Sequence, residues 1–107
     1  MTSSAPAPHL RREQVAGMNI HYIMWSFDYF LDVQQRLGFK TIELWAAEPH
    51  VTLDHTGYFE ADELRRKIES RGLSVSSLCP ENVVYPWQYA ARKPLHAQRS
   101  LAYFKHG

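Results

Sequence analysis

Glu43, His50 and Glu81 are the side chains of this sequence whose types and spacing could do chemistry. Glu43 lies inside the apolar run Thr41-Ile42-Glu43-Leu44-Trp45. An ionised carboxylate there is costly unless it is paired or hydrogen-bonded. In α/β proteins the C-terminal ends of parallel strands gather binding and catalytic groups, which directs attention to Glu43 through His50. Glu81 follows a third candidate strand and can accept from hydroxyls. Trp25 ends the first candidate strand, Trp45 ends the second, and Tyr85 and Trp87 lie in the loop after Glu81, where lid or pocket-wall roles are common. Each residue also has a structural reading. Glu43 can be satisfied by neighbouring strands, Trp45 can cap a core, and Trp25 can pack on the first helix. His50 can be solvated in its loop, His21 can be an interior group, Glu81 can cap a loop or helix, and Tyr85 can bury against helices or a partner subunit.

The elements that would position these residues alternate along the chain. Met18 to Trp25 reads as a strand interrupted by Asn19 and His21. Ser26 is placed to cap a helix with the apolar face Phe27, Phe30, Leu31 and Leu37, closed by Gly38 at the C′ position. Thr41 to Trp45 is a second strand, followed by a polar stretch from Ala46 to Phe59. Glu60 to Arg71 reads as a helix with the stripe Ala61, Leu64 and Ile68, closed by Gly72. Leu73 to Leu78 is a third strand and Cys79 to Lys93 a loop. Pro94 opens a third helix at its first position, with Leu95, Leu101, Ala102 and Phe104 as its apolar side.

Strands alternating with helices imply right-handed βαβ units and a parallel sheet. A parallel sheet needs cover on both faces and is rarely complete with three strands, and a barrel of such units takes roughly 250 residues. The expected fold is therefore α/β, the first three β/α units of a (β/α)8 TIM barrel. Residues 1–17 are expected to form a disordered leader and 18–107 the N-terminal part of the barrel domain. With 107 residues the chain has the size of one small domain. The formal net charge of +1 gives no electrostatic pointer to nucleic acid, and no apolar run reaches the roughly 18 residues of a membrane span. The single cysteine, Cys79, excludes an internal disulfide. It fits a reducing, cytoplasmic setting. Beside Pro80 it reads as a small buried residue rather than a nucleophile. His50 and His55, with Glu43, Glu48 and Asp54 nearby, lack the spacing of tight zinc motifs and are not read as a metal site.

Gly38-Phe39-Lys40-Thr41-Ile42-Glu43-Leu44-Trp45, followed by Glu48-Pro49-His50, resembles the second strand and loop of sugar isomerase/epimerase barrels in the xylose isomerase-like superfamily. Leu78-Cys79-Pro80-Glu81-Asn82 with Tyr85-Pro86 resembles the fructoselysine 3-epimerase branch, and His96 to Phe104 resembles the start of its third helix. The likeness spans about residues 18–106, covering only the N-terminal part of the family's barrel. It implies an isomerase or epimerase acting on a small sugar or sugar phosphate by proton transfer through an enediolate. A divalent metal (Mn, Co or Mg) would be held by two Glu, an Asp and a His on later strands. No residue here matches those ligands or the catalytic acids. What carries over is pocket lining: Glu43, Trp45, His50, Glu81, Trp25 and Tyr85 as substrate-binding candidates, with Trp45 able to stack on the apolar face of a sugar. The implied partner is the sugar itself, without nucleic acid or membrane, and possibly a second copy in a homo-oligomer. Two alternatives stand beside this reading. One is a non-catalytic fragment or assembly partner. The other is an endonuclease IV-like repair enzyme of the same superfamily, which the near-neutral charge speaks against.

Overall fold

The computed structural model describes residues 8–58, 60–81 and 87–106. Three strands form a parallel sheet: β1 (Ala16–Met18), β2 (Thr41–Ala46) and β5 (Ser74–Pro80), ordered β1-β2-β5. Between them come α1 (Phe27–Leu37), a small antiparallel hairpin of β3 (Leu53–Asp54) and β4 (Gly57–Tyr58), and α2 (Ala61–Glu69). The last helix described is α3 (Pro94–His106). The α/β class and the parallel sheet expected from the alternation are present.

The core lies on one face of this sheet. Along β2, Ile42, Leu44 and Ala46 are buried, while Thr41, Glu43 and Trp45 on the other face are only half-buried. Ile42, Leu44 and Ala46 pack with Phe27, Phe30 and Leu31 of α1, Ile68 of α2, and Tyr103 of α3. Ion pairs bind α1 to α2 and to the turn after it: Asp28 meets Lys67 at 3.1 Å and Arg71 at 3.1 Å, and Asp32 meets Arg71 at 2.6 Å. The opposite face is built from Met18, Glu43 and Ser77 in one row and Trp45 and Cys79 in the next, and contributes nothing to the core cluster.

Local signals explain α1. Ser26 Oγ accepts from the Tyr29 N–H at 3.0 Å, the expected N-cap. Gly38 ends the helix at φ +80°, a left-handed conformation that favours glycine. The buried stripe ends in Gln34 rather than Leu37, which is exposed. At about 100° per residue, Gln34 lies about 20° round from Phe27 and Leu37 about 80°. Gln34 packs against Gly17 of β1, where an added Cβ would fall 1.9 Å from Gln34 Oε1. Gly17→Ala is therefore expected to destabilise by about 1–3 kcal/mol through overpacking. Much of that loss should be recovered in the Gly17→Ala/Gln34→Ala pair, as read by urea denaturation.

Several expected boundaries need correction. The first strand is not Met18 to Trp25: pairing stops at Met18 and Asn19–Tyr22 form a 3-10 turn. Asn19 turns inward and bonds the Trp45 backbone itself, an Asn-for-backbone substitution that ends the ladder. Residues 12–17, assigned to the leader, hold a 3-10 turn (Arg12–Gln14) and the start of β1, and Arg12 Nη1 donates to Leu37 O at 3.0 Å. The polar stretch contains the β3–β4 hairpin, whose turn is held by Asp54 accepting from Thr56. In α2, Ile68 is buried, but Ala61 at the start of the expected stripe is exposed. On α3 the expected apolar side is outward: Leu95, Leu101 and Phe104 are exposed, while Ser100 and Tyr103 are buried. Tyr103 prevails because its hydroxyl also reaches backbone groups at the strand ends. Among the described residues no helix is long and apolar enough to cross a membrane.

Candidate functional site

The C-terminal ends of the three parallel strands carry one connected polar network. Asn19, fully buried just after β1, accepts from the Trp45 N–H at 2.7 Å and donates through Nδ2 to Trp45 O at 3.0 Å. The same Nδ2 lies 3.1 Å from His50 Nδ1, and His50 Nε2 lies 2.8 Å from Trp25 O. On the other side, Trp45 Nε1–H donates to the Glu81 carboxylate at 3.1 Å. The Glu81 N–H donates to the Tyr103 hydroxyl at 2.6 Å, which in turn donates to Ala46 O at 3.1 Å. The Tyr103 ring stacks on Trp87 at 4.2 Å between centroids.

Of the residues singled out in the sequence, Trp25, Trp45, His50 and Glu81 belong to this network. Glu43 sits one step back along β2, paired in register with Met18 and Ser77. Tyr85 lies outside the described residues. His21 is exposed in the 3-10 turn rather than interior. Asn19 and Tyr103 were not singled out, although Asn19 gave a signal as an amide interrupting an apolar run. Tyr103 gave none, since its partners lie 22 and 57 residues away.

The half-buried carboxylates give this edge an anionic character. Burial pushes the Cys79 thiol up, and the charges of Glu43 and Glu81 push it further. Cys79 is thus held as a thiol, the opposite of an activated nucleophile. Glu43 and Glu81 place carboxylate acceptors beside the flat indole of Trp45. Among the described residues no group of three or more His, Cys, Asp or Glu is placed to hold a metal ion.

A separate cleft of about 310 Å³ opens between the start of α1, residues 49–52 and the start of α2. Trp25, Asp28, His50, Glu63 and Lys67 are among its lining residues. Burial pushes the Asp28 carboxyl up, but the hydrogen bond and charge of Lys67 and the charge of Arg71 outweigh it, so the group titrates below its ordinary value. A carboxylate lowered in the folded state stabilises above its unfolded value and loses that contribution as pH falls through the folded one. For Lys67 the Asp28 hydrogen bond raises the ammonium value despite burial, so its contribution persists below the ordinary lysine value and fades as pH rises through the raised one. Acidification through and below the ordinary carboxylate range should therefore loosen α1 from α2. Lys67→Met should flatten that part of the stability–pH curve, measured as urea midpoints.

The fold and site define a small α/β unit with its polar groups at the C-terminal edge of a parallel sheet. A scan against protein-family models found no match, and neither curated proteins nor solved structures gave one.

Proposed function

We propose that this chain forms the first β/α units of a sugar isomerase/epimerase barrel of the xylose isomerase-like type and supplies part of its substrate pocket. The observation that carries the reading is the arrangement of the sheet. Strands in chain order, with α1 and α2 joined on one face, are the pattern of a singly wound barrel, in which the helix-free face becomes the interior. Here that face carries Glu43, Trp45 and Cys79, with Glu81 just beyond. In this reading Trp45 stacks on the C–H face of a small sugar or sugar phosphate, and Glu43 and Glu81 accept from its hydroxyls. The indole–Glu81 bond fixes both partners before the ligand arrives. The divalent metal and the proton-transferring acids would come from later strands, and none of the present residues is assigned to them. A cytoplasmic location belongs to the same reading.

Titration of the protein with a ketohexose such as D-fructose, followed by tryptophan fluorescence, tests the pocket. A saturable change is expected that is lost in Trp45→Phe and weakened about tenfold or more in Glu81→Gln, the scale of one lost charge-assisted hydrogen bond. A response unchanged in both variants would remove these residues from the pocket.

A second reading is a non-catalytic assembly partner, favoured by the exposure of Leu95, Leu101 and Phe104 on α3 together with a sheet face that, among the described residues, adds nothing to the core cluster. Later β/α units would cover these surfaces in the first reading, and a second copy of the chain in this one.

A further inference from the structure

We propose that His50 is a pH-sensitive latch that holds the loop after β2 against the strand ends in its neutral form and releases it when protonated. The inference is independent of any sugar activity and rests on the hydrogen-bond directions around one buried amide. The Trp45 N–H has Asn19 Oδ1 as its acceptor at 2.7 Å, which turns Asn19 Nδ2 towards Trp45 O and His50. Nδ2 is a donor, so His50 Nδ1 accepts and carries no proton. Nε2 faces the carbonyl of Trp25 at 2.8 Å, so Nε2 carries the hydrogen and donates it. Both bonds together admit only the neutral Nε2–H tautomer.

A second proton has to go to Nδ1, where it points at the amide hydrogens of Asn19. Turning the amide over does not help, because it would set Nδ2 against the Trp45 N–H and Oδ1 against Trp45 O. The imidazolium is therefore expelled and residues 47–52 lose their polar tie to the strand ends, with the ring leaving its contact with Phe27, 5.6 Å between centroids. What remains is the Val51 side chain in the core and the Val51 N–H to Ala47 O bond. The charged residues lining the cleft beside His50 are Asp28 from α1, Glu60 at the N-cap of α2, and Glu63 and Lys67 from α2, with Glu48 on the loop itself. Asp28 and Glu63 are paired with Lys67, and Asp28 also with Arg71. Asn19 and the Trp25 carbonyl, from the segment after β1, are neutral.

Because the 107-residue chain contains six histidines, the test must isolate one. Two-bond 1H–15N spectra of the wild-type protein are expected to show His50 unprotonated at Nδ1 and protonated at Nε2 at about pH 8. Backbone protection at Val51, corrected for intrinsic exchange, is expected to fall about tenfold or more on going to about pH 5, with the midpoint of the His50 ring titration. In His50→Gln, whose amide can still donate to Trp25 O, that step should vanish. The opposite tautomer, a Val51 protection that does not follow the His50 midpoint, or a step that persists in His50→Gln would each overturn the latch. Should His50→Gln not fold, the wild-type tautomer and the coincidence of midpoints decide the matter alone.

Discussion

Replacing Tyr103 by alanine is expected to cost about 3–5 kcal/mol, the range for truncating a large buried aromatic side chain. Tyr103 is 1% exposed. Its ring stacks on Trp87, and its hydroxyl joins the ends of β2 and β5 by accepting from the Glu81 N–H and donating to Ala46 O. Tyr103→Phe separates the two contributions. It keeps the ring but removes the acceptor for one backbone group and the donor to another, and should cost about 1–3 kcal/mol. Urea denaturation of both variants checks the magnitudes. A loss in Tyr103→Phe as large as in Tyr103→Ala would mean that the polar links, not the stacking, hold α3 in place. A negligible loss in both would mean that α3 is not docked as described.

Asn19→Leu should be nearly as damaging, at about 2–4 kcal/mol. A side chain of comparable reach is retained, but the Trp45 N–H and C=O and the His50 ring lose their shared partner, and groups left unpaired in a buried site cost more than the bonds themselves contribute. The loss should exceed that of His50→Gln, which touches only one branch of the network. A double-mutant cycle between positions 19 and 50 should show coupling of about 0.5–1.5 kcal/mol above additivity. Additive losses would mean that the 3.1 Å contact between Asn19 and His50 carries no energy. The cycle is best run at two pH values, since the latch predicts that coupling disappears where His50 is protonated.

The parts of this molecule legible in its sequence are those governed by local physics. The Ser26 cap, the Gly38 turn and the strand at Thr41 follow from residues within a few positions of one another, and all three are present. Of the six candidates Glu43, Trp45, His50, Glu81, Trp25 and Tyr85, the network joins Trp45, His50 and Glu81 by their side chains and Trp25 by its backbone carbonyl alone. What escaped was set by contacts between distant segments. Asn19 shortens the first strand because its amide meets Trp45, 26 residues on. The face of α3 was misjudged because hydrophobicity favours Leu101 and Phe104, whereas burial followed the hydroxyl of Tyr103, whose targets lie on other elements. Gln34 displaced Leu37 from the core because Gly17 leaves room for it. For Asn19 and Tyr103 a polar group with a remote partner decided the outcome, and for Gln34 the space beside Gly17 did.

The proposal that these strands open a barrel is tested most directly by the intact mass, under denaturing conditions, of the native protein isolated from its source. A polypeptide of about 30 kDa or more, the mass of the roughly 250 residues such a barrel needs, is the expected result, with Glu43, Trp45 and Glu81 lining its interior. A polypeptide of 12.5 kDa would contradict it, because the strands that should carry the metal and the catalytic acids would not exist in the molecule, and the uncovered sheet face would have to be closed by another chain.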